Sequence, residues 1–171
     1  SKNISFSKLI FKDLNYYLSL MVVDSLLQDI EYVDLTNIKI KEVKGRFEIV
    51  NDSPLKIIDG AHNYEGVEIL LRNYENIYGH LNTDIYLGFK KGKDINNILN
   101  LIIGKTNYNL HLIEDDTFFD QEITKEIGYL LDKHGKNYKI ASLEQFKKNK
   151  NPSILLGSLY LIGEYKKRII T

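Results

Sequence analysis

Apolar positions recur along this chain with two different periods, and the change between them divides it. Over residues 11–30, Leu14, Leu18, Met21, Val22, Leu26 and Ile30 return at helical spacing and line one face. Asp13 and Asn15 stand near the start, where such residues favour a helix N-terminus. A short element around Leu35-Thr36-Asn37-Ile38 follows. Then Phe47-Glu48-Ile49-Val50 alternates as a half-buried strand, Asn51-Asp52-Ser53-Pro54 has turn composition, and Leu55–Ile58 reads as a second strand ended by Asp59-Gly60. From there the two periods take turns. Helical stripes run through Val67, Leu70, Leu71, Tyr74, Ile77 and Tyr78, through Ile95, Ile98, Leu99 and Ile102, and through Phe119, Ile123, Ile127, Leu130 and Leu131 up to Gly135. Strands are predicted at Asp84–Phe89, Leu110–Ile113, Tyr138–Ala141 and Ile154–Leu156. A short helix falls at Leu143–Lys147, and a last one runs from Ser158 to about Arg168.

Strand–helix alternation of this kind predicts an α/β fold. The expected form is a Rossmann-like, mostly parallel sheet of about six strands with helices on both faces, preceded by one or two helices. The boundary falls near Glu42, so residues 1–42 read as a helical piece of something that precedes, and residues 43–171 as the α/β domain. Among the 171 residues there is no cysteine, which excludes a disulfide scaffold, a thiolate metal site and a cysteine nucleophile. Lysine plus arginine balances aspartate plus glutamate at 23 each, so no basic field argues for nucleic acid. No apolar run approaches the roughly 20 residues needed to span a bilayer, and the N-terminal segment has no signal-peptide pattern. No membrane association and a cytoplasmic location are the expectation. The chain begins with Ser, which fits either a processed start or a piece of a longer protein.

Nucleotide-phosphate loops are missing from the sequence. Gly104-Lys105-Thr106 resembles the end of a P-loop, but Leu99 stands where the earlier glycine is needed, and a helical stripe precedes it. Gly88–Lys93 has the wrong spacing, with Asp94 in place of the magnesium-holding Ser or Thr. The informative stretch is Asp59-Gly60-Ala61-His62-Asn63, at the carboxyl end of a predicted strand and the start of a predicted helix. Ligands gather at that edge of an open parallel sheet, and a helix N-terminus offers free amides. Asp59 can accept from a ribose, His62 can meet an anion, and Asn63 carries donors and an acceptor; the same residues also serve as ordinary caps. Arg46, one of three arginines, suits a carboxylate or phosphate, or a surface pair with Glu48. Gly157-Ser158 repeats the strand-to-helix turn, with Ser158 at or near an N-cap. His80, His111 and His134 have no partner at metal-ligand spacing and read as structural or surface residues.

Gly45-Arg46-Phe47-Glu48, then Asp59-Gly60-Ala61-His62-Asn63, then Gly157-Ser158-Leu159-Tyr160-Leu161-Ile162-Gly163-Glu164, taken in order, resemble the C-terminal domain of folylpolyglutamate synthase/dihydrofolate synthase, within the Mur ligase superfamily. The resemblance covers roughly Gly45 to Glu164, and the leading helix resembles the last helix of that family's central domain. It implies an ATP-dependent ligase that adds L-glutamate to a folate through an acyl phosphate, with folate or dihydropteroate, L-glutamate and ATP as partners. ATP and Mg2+ would be held mainly by an N-terminal domain not contained in these residues, so no cofactor or metal site is expected here, and these residues alone are expected to be inactive. The resemblance implies catalytic roles for His62 and Asp59, nucleotide contacts for Arg46, Asp59 and Asn63, and glutamate contacts for Ser158, Lys93 and His62. Tyr64 stands where the family usually has Pro, Gly92 where it has Asp, and Phe11–Asn15 keeps only the Asn of a usual His-Gln-Asn neighbourhood. A non-catalytic nucleotide- or glutamate-binding relic, or a Mur-type ligase with another acceptor, is the alternative. The apolar stripe of the leading helix suggests a dimer or domain swap.

Overall fold

Ser153–Leu156 is buried at every position, and it lies in the middle of a six-stranded sheet. A strand covered on both faces has to be apolar throughout, and Ile154-Leu155-Leu156 is the most apolar strand of the chain. The computed structural model describes residues 43–114 and 121–170, with Leu18, Met21, Val22 and Ser25 as isolated helical positions. The remainder of the leading helix, the element at Leu35–Ile38, and Phe119 lie outside the described residues. The chain divides into two compact units, Ser1–Glu42 and Val43–Thr171.

In the second unit the strands are β1 (Glu48–Asp52), β2 (Leu55–Asp59), β3 (Thr83–Leu87), β4 (Tyr108–Ile113), β5 (Tyr138–Ala141) and β6 (Ser153–Leu156). Their spatial order is β1-β2-β6-β3-β4-β5. β1 pairs antiparallel with β2, and all other pairings are parallel. The helices are α1 (Tyr64–Tyr78), α2 (Ile95–Ile103), α3 (Gln121–Lys133), α4 (Leu143–Lys148) and α5 (Leu159–Tyr165), the last continued by a π-helical segment, Lys166–Ile170. The expected α/β class and mostly parallel sheet are therefore observed.

Alternation along the strands separates two cores. Ile57, Ile85, Leu87, Ile154 and Leu156 pack with the apolar faces of α1, α2 and α3. Ile58, Tyr86 and Leu155 pack with Leu143 and Phe146 of α4 and with Leu161, Ile162 and Tyr165 of α5. Helix starts follow the cap residues. Asn63, Asp94, Ser142 and Ser158 each accept from a main-chain N–H of the first turn, and Ser142 with Gln145 completes a reciprocal capping box.

Bounds differ from the sequence expectation in several elements: β3 spans Thr83–Leu87 and not Asp84–Phe89, β2 ends at Asp59, and β6 begins at Ser153. β1 runs on to Asp52, so the turn narrows to Ser53-Pro54; a bulge between Ile49 and Asn51 admits the extra residues, and Asn51 Nδ2 donates to the Pro54 carbonyl at 2.7 Å. β4 begins at Tyr108, not Leu110. The final helix changes from α to π after Tyr165.

The early start of β4 has a cause at the amino edge of the sheet. Asp84 is buried there and accepts from Asn149 Nδ2 at 2.6 Å, Asn109 Nδ2 at 2.7 Å and Asn151 Nδ2 at 3.1 Å. Asn109 is the cross-strand partner of Asp84. Its polarity breaks the apolar pattern, and from its exposed position it completes a network around a buried carboxylate. His111 stacks on Tyr86 at 4.4 Å, with Nε2 3.7 Å from Asp84, and burial holds its imidazole below the usual value against the pull of that carboxylate. Lys56 is buried and donates to the carbonyls of Phe146 and Asn149, at 2.8 and 2.9 Å, at the end of α4.

Burial by itself would raise the Asp84 carboxyl, but the Asn149, Asn109 and Asn151 amides outweigh it and hold it below the usual range. A lowered folded-state value adds stability above the unfolded value of about 3.9, and that stability is lost as pH falls through the folded value. Thermal melts from pH 6 down to pH 3 should therefore show a steeper fall for the natural chain than for Asp84→Asn. At pH 6–7 the variant should be less stable by about 1 kcal/mol or more, because a neutral amide then replaces the charged acceptor of three asparagine amides. Parallel pH profiles would remove this role from Asp84.

Candidate functional site

In register, Asp59 lies beside Leu156, and Leu156 lies beside Leu87. The carboxyl ends of β2, β6 and β3 are thus neighbours. The helices after β2 and β3 join one core, and the helix after β6 joins the other. Segments leaving adjacent strands toward opposite faces open a crevice at that edge, where open α/β sheets take their ligands.

Asp59 organises this edge. Its carboxylate is buried; Oδ2 accepts from Phe47 N at 2.7 Å and Oδ1 from Ala61 N at 2.7 Å. Arg46 Nη1 is 3.6 Å from Oδ1. Burial pushes the carboxyl up, the two amides and the Arg46 guanidinium pull it down, and burial prevails. Both oxygens are occupied, so the visible work of Asp59 is to tie the turn before β1 to the turn after β2. Arg46 meets Asp59 and not Glu48, the partner expected for a surface pair, which is taken by the Gly45 amide and by Lys166.

His62 is half-buried, and its Nδ1 lies 2.8 Å from the Gly60 carbonyl. A carbonyl only accepts, so Nδ1 carries a proton and Nε2 is the nitrogen left for other chemistry. Asn63 is exposed and acts as the N-cap of α1, its Oδ1 accepting from Gly66 N at 3.2 Å. Ser158 is buried and caps α5 by accepting from Tyr160 N at 3.2 Å. Its O–H proton is still free to be donated.

Lys93 is exposed on the loop from β3 to α2, with no ion pair among the described residues. The same loop carries Lys90, whose Nζ stands 3.3 Å from the centroid of the Tyr160 ring. That cation–π contact between the β3 loop and the first turn of α5 was not anticipated from sequence, and no spacing rule would have found it, since Lys90 and Tyr160 meet only because β6 inserts beside β3. The structure therefore gathers Arg46, Asp59, His62 and Ser158 on neighbouring turns of one edge and places Lys93 on the next loop. By contrast Lys105, of the P-loop-like triplet, is bonded to both oxygens of Glu75 at 2.7 Å. Among the described residues, no group of three His, Cys, Asp or Glu could hold a metal ion, and no helix is long and apolar enough to cross a membrane.

Two glycines allow the close approach. At Gly157, φ is +119°, and a Cβ there would lie 2.5 Å from the Gly88 carbonyl oxygen. At Gly60, a Cβ would strike the side chain of Leu159.

No family model matches the chain. It is 26% identical over 131 residues to the dihydrofolate synthase/folylpolyglutamate synthase of Bacillus subtilis, a match covering 73% of this chain and 30% of that protein. The chain thus spans under a third of that relative's length. Among solved structures, the folylpolyglutamate synthase of Thermotoga maritima matches with a TM-score of 0.62 at 24% identity, over 80% of this chain and 32% of that one. A bifunctional folylpolyglutamate synthase/dihydrofolate synthase with Mn, AMPPNP and L-glutamate bound matches with a TM-score of 0.62 at 14% identity, over 90% of this chain and 40% of that one. At these identities the structural likeness is one of fold. In sequence and in fold the chain is similar to the folylpolyglutamate synthases, as its three ordered motifs imply.

Gly157→Ala should destabilise the domain by about 1–3 kcal/mol or more, since the backbone is strained for an L side chain and the obstacle is a carbonyl. Gly60→Ala should cost less, because a Leu side chain can turn aside. Denaturant melts of both variants would check the order, and the reverse ranking would show that the Gly88–Gly157 contact is not the tighter constraint.

Proposed function

We propose that residues 43–171 are the C-terminal domain of a cytoplasmic, ATP-dependent ligase of the folylpolyglutamate synthase type, which joins L-glutamate to a folate or dihydropteroate carboxylate through an acyl phosphate. Residues 1–42 are the end of the domain that precedes it. The observation that carries this reading is the convergence of Arg46, His62 and Ser158 on one sheet edge, each from a different motif of the resemblance.

The chemistry of each group fits. Arg46 is exposed, fixed in place by Asp59, and offers a guanidinium to the phosphates of a nucleotide. His62, anchored through Nδ1, leaves Nε2 to meet the reacting phosphate or the glutamate. Ser158 accepts from Tyr160 N, so what remains to it is a donor, the group that a glutamate carboxylate needs. Lys93 is an exposed cation on the adjoining loop and serves the same carboxylates. Asp59 holds Arg46 and the His62 turn in register, and Asn63 borders the nucleotide while capping α1. Transfer of a phosphoryl group is mostly positioning and charge stabilisation, which is what these side chains supply. ATP brings the phosphoryl group. Its magnesium would be held mainly by the N-terminal domain that the resemblance implies.

Residues 1–171 alone should then release no ADP in a glutamate- and folate-dependent way. Sequencing upstream of the Ser1 codon should reveal a frame that continues through a Gly-x-x-x-x-Gly-Lys-Ser/Thr segment. In that longer protein His62→Ala should lower kcat by 10²-fold or more while Arg46→Ala mainly raises KM for ATP. Glutamate ligation by the 171 residues would overturn their expected inactivity, whereas a start codon immediately before Ser1 would replace the ligase with a binding module.

A further inference from the structure

The turn that carries Arg46 is clamped from both sides. Ahead of Arg46, the buried Gly45 amide donates to Glu48 Oε2 at 2.6 Å; behind it, the Phe47 amide donates to Asp59 Oδ2 at 2.7 Å. The Gly45 carbonyl accepts from Gly60 N at 2.8 Å. Two residues of this turn have left-handed backbone, Gly45 at φ +73° and Phe47 at φ +43°. A phenylalanine stays there only when its surroundings dictate it.

One clamp, Asp59, sits inside the candidate site. The other does not. Glu48 is on the edge strand β1, and the oxygen that receives the Gly45 amide also receives Lys166 Nζ at 2.6 Å. Lys166 is the first residue of the π-helical segment after α5. Such segments are uncommon and often occur at functional sites. Burial would raise the Glu48 carboxyl, and Lys166 with the Gly45 amide holds it below the usual range, so the group is ionised and a strong acceptor at neutral pH.

We propose that Glu48, oriented by Lys166, is a positioning residue for Arg46: it fixes the Gly45 amide, sets the direction of the guanidinium at the sheet edge, and makes the anion-binding turn depend on the π-helical segment Lys166–Ile170. The value of that direction rests on the reading of Arg46 as a nucleotide contact. The positioning itself can be measured without it.

The test follows amide hydrogen exchange by NMR on the 171-residue chain, and reads ADP affinity, as the probe ligand, in the longer protein that includes the N-terminal domain. In Glu48→Ala and in Lys166→Met, the Gly45 amide should exchange about tenfold faster or more, while the Phe47 amide, held by Asp59, changes little. ADP affinity should fall in parallel, and Lys166→Arg should retain both properties. Using two variants on opposite sides of the contact guards against a simple folding defect, which would accelerate Phe47 as well. Unchanged Gly45 exchange in Glu48→Ala would overturn the proposal, as would faster exchange with full ADP affinity where Arg46→Ala weakens it. If Arg46→Ala leaves ADP affinity unaltered, the nucleotide reading falls, and the Gly45 exchange rates alone then support or overturn the positioning role.

Discussion

The organisation of the carboxyl edge rests on one buried carboxylate, Asp59. It gathers two main-chain amides from segments twelve residues apart in one case and two in the other, and adds a guanidinium. Hydrogen bonds to a charged acceptor are worth about 1.5–3 kcal/mol each, against the cost of withdrawing the carboxylate from water. That cost still shows in the upward displacement of its proton affinity. A neutral acceptor could cap the Ala61 amide, but it could not also hold the arginine. Through Asp59, the last residue of β2 fixes the arginine before β1 and the turn that bears His62.

The second constraint is how closely neighbouring turns approach. Gly88 N donates to the Leu156 carbonyl at 3.1 Å, and the Gly157 α-carbon lies against the Gly88 carbonyl. Leu159 closes over Gly60 and also lies within contact range of the position a Gly45 side chain would take. The glycines therefore make the edge narrow, and the apolar first residue of α5 covers the backbone of two site turns. Asp59 and Ser158, which are buried at this edge, act close to main-chain dipoles and away from bulk water, which strengthens their interactions, while Arg46, Asn63 and Lys93 face solvent.

Much of this was legible in the sequence. Every strand and helix of the α/β unit was signalled by period, because a parallel sheet covered on both sides leaves its strands little chemical freedom. The cap residues Asn63 and Ser158 stood where helices begin. What the sequence hid was three-dimensional pairing. Asn109 looked like the end of a loop and is a strand residue, since its amide answers a buried aspartate across the ladder. Within the chain Arg46 was matched only with Glu48, and its pairing with Asp59 became visible only with the turn at Gly45–Phe47 in place. The partnership of Glu48 with Lys166 spans 118 positions, a separation that no local pattern encodes.

The place of β6 has a consequence for how the domain comes into being. β2 and β3 are not paired with each other; each is bonded to β6, the last of the six strands in chain order. Before β6 is in place, β2 and β3 each lack the hydrogen-bonding partner that it supplies along the edges facing it. The sheet closes when Ser153–Leu156 slides between them. Until then the growing polypeptide presents open edges to its neighbours on the polysome, and the step that completes the core is the same step that brings the ligand-facing turns together.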